Sequence, residues 1–145
     1  MAYCGHKRNT FSNKICFNIT QGMRGLDIGS GTGYLTACMA LMVGERGRVI
    51  GIEHIPELVE NSIRNVRRNH ANLLTSGRMR LMVGDGRKGF PEAGPYNAIH
   101  VGAAAHGLPQ ELIAQLAPGE LFTFELVLIV FKHLPLVVKC LNRLN

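Results

Sequence analysis

The 145-residue chain has no tryptophan, and aromatic residues make up only 6% of it. Acidic residues are also scarce, since ten Asp and Glu stand against sixteen Lys and Arg and give a net charge of +6. Nucleic-acid-binding surfaces commonly combine clustered basic residues with aromatic side chains that stack on bases. Here the basic residues are dispersed and no aromatic residues alternate with them. A solvated basic face is therefore the favoured interpretation, and we expect no nucleic acid partner.

The chain also lacks paired cysteines. Its four cysteines are widely spaced, and no Cys-x-x-Cys motif occurs. This spacing disfavours a metal site and a disulfide framework, and it is typical of proteins in a reducing compartment. The N-terminus has no apolar core of signal-peptide length. We therefore predict a cytoplasmic protein that binds no metal.

No uninterrupted apolar run reaches the roughly 20 residues that a membrane-spanning helix needs. The most apolar stretch, residues 121–141, contains Glu125, Lys132, His133 and Pro135. We expect strands in this stretch, with a pairing that the pattern does not specify, and we expect no membrane partner. A membrane-inserted segment is the less favoured alternative.

From Met23 onward, patterns typical of strands and helices alternate along the chain. This order is typical of an α/β fold with a mostly parallel sheet. The loop between the second helix and the third strand is predicted at residues 69–78, and Pro118-Gly119 is expected to end the last helix. The first predicted strand ends at Ile28, and the later ones cover 48–52, 79–83, 96–101 and the region from about 121. The predicted helices cover 34–43, 56–68 and 109–116.

These patterns divide the chain into three parts. Residues 1–22 are polar, contain no acidic residue and show no period, so we expect them to be poorly ordered. Residues 23–120 form the predicted core. Residues 121–145 form the apolar C-terminal segment.

The most informative motif is the turn Gly29–Gly33, in which Gly-x-Gly-x-Gly follows a strand and precedes a helix. Glycines allow the backbone to approach a ligand where a Cβ atom would clash, and amides at the helix N-terminus face the same place. A dinucleotide-binding fingerprint would need Gly or Ala where Tyr34 stands. The spacing therefore favours S-adenosylmethionine, which has no pyrophosphate. A simple strand–helix turn is the alternative.

Other candidate ligand residues follow neighbouring strands, whose carboxyl ends bind ligands in parallel sheets. Glu53 can accept hydrogen bonds from the ribose hydroxyls, and His54 can line an adenosine pocket or cap the next helix. Asp85 can accept from the adenine amine while the backbone at Gly86 meets the ring edge. The alternatives are a surface Glu and an ordinary Asp-Gly turn. His100 is interpreted as a hydrogen-bonded core histidine rather than a catalyst.

Four segments resemble the protein-L-isoaspartate (D-aspartate) O-methyltransferase family: LDIGSGTGYLTA, GRVIGIEHIPELV, GDGRKGFPE and YNAIHVGAAA. The resemblance covers residues 26 to about 119. It implies a Rossmann-like class I S-adenosylmethionine-dependent methyltransferase core, here truncated. It also implies methylation of the free carboxylate of L-isoaspartyl or D-aspartyl residues in damaged proteins, by a monomer. The cofactor-binding residues that it implies are Asp27, Gly29, Ser30, Gly31, Thr32, Gly33, Glu53, His54, Asp85 and Gly86.

We predict no catalytic residue. A carboxylate acceptor is already ionised near neutral pH, so positioning and desolvation would accelerate the reaction without a general base. The family's N-terminal loop, which places a serine beside the reacting groups, has no match in residues 1–24, and Ser12 has no motif around it. The sequence after Gly119 and the residue Asn97 also depart from the family pattern.

Two other interpretations remain open. The chain could be a truncated isoform that binds the cofactor, or is unstable, and lacks catalysis. It could also be a methyltransferase that acts on another small molecule or on nucleic acid, which only the positive charge favours.

Overall fold

A computed structural model describes residues 19–102, 110–124 and 136–139. Two short 3₁₀ turns, Gly86–Lys88 and Pro91–Ala93, lie in the connection after the third strand. The strands are β1 Arg24–Ile28, β2 Arg48–Glu53, β3 Met79–Val83, β4 Tyr96–Val101, β5 Leu116–Phe124 and β6 Leu136–Lys139. The helices are α1 Tyr34–Met42, α2 Pro56–Thr75 and α3 Gln110–Ile113.

Within these ranges the six strands form one sheet in the order β3-β2-β1-β4-β5-β6. The pairings from β3 to β5 are parallel, and β6 pairs with β5 in the antiparallel sense. The prediction of an α/β fold with a mostly parallel sheet is confirmed. The predicted bounds of β3 and β4 agree with the structure, as does the end of β1 at Ile28.

The order of the strands locates the position where a ligand can bind. The chain proceeds outward from β1 to β3 and then returns to the other side of β1 to form β4. In such sheets the connections after the two adjacent strands diverge at this point, and the crevice between them binds ligands. Here Gly102, directly after β4, donates from its amide to the carbonyl of Ile28 at the end of β1, at 2.8 Å.

Helix α2 is longer than predicted. It continues to Thr75, so the expected loop at residues 69–78 is wrong over most of its length. Val59, Val66 and Leu73, each seven residues apart, are buried against the sheet, and Leu73 is completely enclosed. This contact holds the last turns in helical form despite their polar sequence, although the backbone of His70 leaves helical geometry.

The region of α3 and β5 also differs from the prediction. The helix ends at Ile113, and β5 begins at Leu116, so Pro118-Gly119 lies inside a strand and does not end a helix. The register between β4 and β5 is irregular at this point, as expected because proline has no amide hydrogen for the ladder. The Pro109 end of the predicted helix lies outside the described residues, as do residues 125–135 and 140–145.

Buried apolar side chains form two clusters, one on each face of the sheet, because successive strand residues point to opposite faces. One cluster contains residues of α1 and α2, and the other contains Leu112 of α3. Ile19 belongs to the first cluster, and the amide of Gly22 donates to the carbonyl of Val43 at 2.8 Å. Ile19 and Gly22 therefore pack against the core, while residues 1–18 of the predicted N-terminal segment lie outside the described ranges. None of the described helices combines the length and the apolar character needed to cross a bilayer.

Candidate functional site

The centre of the candidate site is the turn formed by residues 29–33, which we call the glycine bend. Gly29, Gly31 and Gly33 have φ angles of 78°, 49° and 78°, in the left-handed region that favours glycine. The amides of Gly29 and Ser30 donate to the carbonyl of Ile52, at 2.8 and 3.1 Å. The bend therefore lies against the carboxyl end of β2, as the sequence predicts.

Helix α1 begins directly after the bend. Gly33 stands at its N-cap position and supplies no side-chain hydrogen bond to the first turn. A Cβ atom at Gly33 would lie 3.0 Å from the Cβ of Ser62 in α2, a tight contact that adds to the preference for glycine set by the positive φ angle. Thr32, exposed at the tip of the bend, accepts from the side-chain amide of Asn65 through its carbonyl oxygen at 3.4 Å. The bend is thus fixed between β2 and α2, and the start of α1 provides amides for an anionic or polar ligand group.

Glu53 lies at the end of β2, with only 6% of its surface exposed. Its Oε2 accepts from the amide of Gly31 in the bend at 3.2 Å. Its Oε1 accepts from the amides of His54 and Ile55, at 2.9 and 3.3 Å, and lies 2.8 Å from Nδ1 of the exposed His54 ring. Because Oε1 already has three close donors, Oε2 is the oxygen with acceptor capacity left for a ligand hydroxyl.

Asp85 and Gly86 reach the site through their backbone. The amide of Gly84 donates to the carbonyl of Glu53 at 3.0 Å, and a Cβ atom at Gly86 would lie 2.4 Å from Cγ2 of Ile28. Residues 84–86 therefore pass close to the ends of β1 and β2, where a side chain on Gly86 would clash.

The carboxylate of Asp85 is hydrogen-bonded by Arg87, a residue that no motif in the sequence indicates. Arg87 donates to it from Nε at 2.9 Å and from Nη2 at 2.8 Å, and its amide also donates at 3.1 Å. These hydrogen bonds from Arg87 lower the pKa of Asp85 to about 2. Asp85 is consequently an ionised hydrogen-bond acceptor across the physiological pH range.

Asp27 occupies a different position from the other predicted residues. It is only 1% exposed and lies in β1, two residues before the bend. Its Oδ2 accepts from the hydroxyl of Thr36 at 2.5 Å, and its Oδ1 lies 2.8 Å from Nδ1 of His100. The structure therefore brings Asp27 beneath the bend, and this burial does not favour the predicted direct contact with a cofactor. His100 is buried and hydrogen-bonded, as the sequence predicts.

The residues fit a nucleoside-type cofactor. Three left-handed glycines give open backbone, Glu53 gives an acceptor oxygen beside them, and the backbone at Gly86 approaches the same edge of the sheet. In the part of the chain that the structure describes, no group of three or more His, Cys, Asp and Glu side chains could hold a metal ion. The hydroxyl of Ser30 is buried in the bend without a hydrogen-bond partner there.

Comparison with known proteins gives a consistent result. The family model described as protein-L-isoaspartate(D-aspartate) O-methyltransferase matches residues 10–126. Protein-L-isoaspartate O-methyltransferase 2 of Arabidopsis thaliana is 62% identical over 99 residues, which are 68% of this chain and 32% of the relative. Protein-L-isoaspartate O-methyltransferase of Caenorhabditis elegans is 55% identical over 102 residues, 70% of this chain and 45% of that protein.

A solved structure from Plasmodium falciparum, a beta-aspartate methyltransferase in complex with S-adenosyl-L-homocysteine, is also similar. It superimposes with a TM-score of 0.68 and 31% identity, covering 81% of this chain and 57% of that one. The likeness supports the Rossmann-like methyltransferase core. The chain spans less than half the length of the two curated relatives.

Proposed function

The chain belongs to the protein-L-isoaspartate(D-aspartate) O-methyltransferase family, and from this premise we propose that it transfers a methyl group from S-adenosylmethionine to isoaspartyl residues. The acceptor would be the free carboxylate of L-isoaspartyl or D-aspartyl residues in damaged proteins. The observation that carries the proposal is the contact between Glu53 and the Gly31 amide, which joins the acid after β2 to the glycine bend.

Each part of the cofactor has a candidate partner in this arrangement. Oε2 of Glu53 would accept a hydrogen bond from a ribose hydroxyl, with His54 beside it. Asp85 would accept from the adenine amine, and the glycine bend would hold the amino acid portion with its backbone. When bound, the cofactor supplies a methyl group activated by a sulfonium centre.

The chain's own contribution to the chemistry is orientation and exclusion of water. A carboxylate acceptor is the nucleophile in its ordinary ionised state, so no side chain is needed as a general base. In the proposed transfer one C–O bond would form as one C–S bond breaks, and the opposite charges on the acceptor carboxylate and the donor sulfonium would be neutralised. Desolvation and in-line positioning are the effects that accelerate such a reaction.

We further propose that the protein acts as a monomer in the cytoplasm on protein substrates. The basic residues are dispersed and no aromatic residues alternate with them, which favours a protein substrate over a nucleic acid substrate. The widely spaced cysteines favour a reducing compartment.

A second candidate function is cofactor binding without catalysis. It follows from the expectation, drawn from the resemblance, that residues 1–24 carry no counterpart of the family's serine-bearing loop, whereas the family model match begins at residue 10. This candidate shares the cofactor site with the first and differs from it in turnover.

The cofactor site is tested by the melting temperature in the presence of S-adenosylhomocysteine. A ligand that binds only the folded state stabilises it by about 2.7 kcal/mol at 100 times its Kd. We expect Glu53→Ala to abolish the rise in melting temperature, because hydrogen bonds to a charged group contribute about 1.5–3 kcal/mol. Glu60→Ala, at an exposed position on α2, is the control that should keep the rise. An unchanged rise in Glu53→Ala would contradict the ribose assignment.

Transfer of a radiolabelled methyl group separates the candidate functions. The first function predicts label on an isoaspartyl peptide and none on its normal aspartyl counterpart. A rise in melting temperature without label would support binding alone. Label on RNA that falls steeply with salt would instead indicate a nucleic acid methyltransferase.

A further inference from the structure

We propose that His100 is a positioning residue for the cofactor site, acting through Asp27 to fix the glycine bend against β4. The inference rests on the proposed function, since it takes the bend as the place where the cofactor binds. It assigns a role to a buried histidine and a buried carboxylate for which the proposed chemistry has no direct use.

The pair forms part of a small buried network. Asp27, Thr36 and His100 are 1%, 0% and 4% exposed. Thr36 donates to Oδ2 of Asp27 at 2.5 Å, and Nδ1 of His100 lies 2.8 Å from Oδ1. A carboxylate can only accept, so the hydrogen of this second bond is on Nδ1 of His100. Both oxygens of a nearly inaccessible carboxylate are thereby satisfied.

The network connects the residues on either side of the glycine bend to each other and to β4. Asp27 lies two residues before Gly29, and Thr36 lies three residues after Gly33. Their hydrogen bond therefore joins the strand that enters the bend to the helix that leaves it. His100 connects the same carboxylate to β4, in which it is the register partner of Asp27.

The neighbouring strand is shaped to admit this network. Gly51 is the register partner of Asp27 on the β2 side. A Cβ atom at Gly51 would lie 2.9 Å from the Cβ of Ser30 and 3.0 Å from Cγ2 of Thr36. The missing side chain allows the bend and the first turn of α1 to approach the sheet closely enough for Thr36 to reach Asp27.

On the β4 side, His100 lies beside the chain that leaves the strand. A Cβ atom at Gly102 would lie 2.9 Å from Cε1 of His100 and 3.7 Å from the carbonyl oxygen of Gly29. The imidazole thus contacts the segment that passes next to the bend. If Nδ1 no longer donated, one oxygen of a buried carboxylate would lack a hydrogen bond, which is unfavourable enough to reorient the side chain. Because Asp27 lies only two residues before Gly29, a reoriented Asp27 side chain would shift the backbone of the bend.

The test compares His100→Phe with His100→Asn. Phenylalanine fills the space without donating, whereas the amide nitrogen of asparagine is one bond from Cγ, as Nδ1 is in histidine. The readout is the Kd of S-adenosylhomocysteine, measured by calorimetry at a temperature at which circular dichroism shows each variant to be folded. We expect His100→Phe to raise the Kd about tenfold, the effect of losing one hydrogen bond at a charged group. His100→Asn should stay within about threefold of the unmodified chain.

Val43→Ala is the control for destabilisation alone. Val43 is completely buried at the far end of α1, so its truncation should lower the melting temperature and leave the Kd within about twofold. Amide NMR shifts of Gly29 and Gly31 should move in His100→Phe, while that of the distant Gly77 should not. Thr36→Val removes the hydrogen bond to the other oxygen of Asp27 and should also raise the Kd. This variant replaces His100→Phe in the test if His100→Phe does not fold.

The outcomes distinguish the two proposals. If the unmodified chain does not bind S-adenosylhomocysteine, the proposed function is overturned and this inference with it. If the unmodified chain binds and the folded His100 and Thr36 variants bind equally well, only the positioning role is overturned. A lower melting temperature with an unchanged Kd would show that the network stabilises the core and nothing more.

Discussion

The Glu53 carboxylate, at the end of β2, accepts hydrogen bonds both from the glycine bend and from the residues that follow the strand. Glu53 is the predicted ribose acceptor, yet its carboxylate also joins the glycine bend to the first residues after β2. One side chain therefore shapes the site and offers an acceptor in it. The Glu53→Ala variant consequently removes two contributions, and Glu53→Gln, which keeps the side-chain length and loses the charge, would help to separate them.

Arg87 controls the protonation of the candidate adenine acceptor. Arg87 lowers the pKa of Asp85 from its ordinary 3.8 to about 2. A folded-state pKa below the unfolded one means that this pair stabilises the fold at pH values above about 4. The contribution is lost as the pH falls toward 2. We expect Arg87→Ala to raise the pKa of the Asp85 carboxyl from about 2 part of the way toward its ordinary 3.8, because the side-chain hydrogen bonds are lost while the amide of residue 87 still donates. Carboxyl carbon NMR during an acid titration measures the change.

Arg80→Ala is the matched control for this titration. The Arg80 guanidinium lies over the ring of Phe90, 5.6 Å from its centroid, and is not among the groups that shift the pKa of Asp85. The Asp85 carboxyl should therefore titrate near pH 2 in this variant. An equally low value in Arg87→Ala would contradict the role given to the Arg87 side chain in lowering this pKa.

At the scale of elements, the sequence predicts best where local chemistry bounds an element on both sides. β3 begins after Gly77-Arg78 and ends before Gly84, and β4 follows Pro95 and ends before Gly102. The misjudged elements depend on tertiary contacts. β5 pairs with β4 on both sides of Pro118-Gly119, through Tyr96 with Leu116 and Ala98 with Leu121, and this pairing includes the two residues in the strand in spite of their turn propensity.

Helix α2 gives a direct test of one such contact. Its last turns are polar apart from Leu73 and Leu74, which explains why local pattern predicts a loop there. Because Leu73 is completely buried, we expect Leu73→Ala to lower the free energy of unfolding by about 2–5 kcal/mol. Urea denaturation followed by circular dichroism would measure the loss. Leu74→Ala, at a half-buried position, should cost less, and a loss below about 0.5 kcal/mol for Leu73→Ala would fit a surface loop instead.

At the scale of the whole molecule, the topology explains how much of the site the sequence can reveal. Parallel strands align their carboxyl ends, so acids and glycines at those ends are brought together by the fold itself. The positions of the bend, Glu53 and Gly86 are predictable for this reason. The contacts made by Thr36, Arg87 and Asp27 are not predictable in this way. They depend on the side-chain rotamers and helix positions that bring a hydrogen-bond partner to a buried or charged group.

The same topology predicts how ligand binding stabilises different parts of the sheet. β1 lies between β2 and β4, whereas β3 is an edge strand within the described residues. Amides of central strands exchange hydrogen only through large openings, and amides at edges exchange through local ones. We expect mass-spectrometric hydrogen exchange to show the slowest exchange in β1. Saturating S-adenosylhomocysteine should add protection in residues 24–33 and 96–102, with little change at the outer edge of β3. Added protection at the β3 edge without any change in the bend would place the ligand away from the junction of β1 and β4.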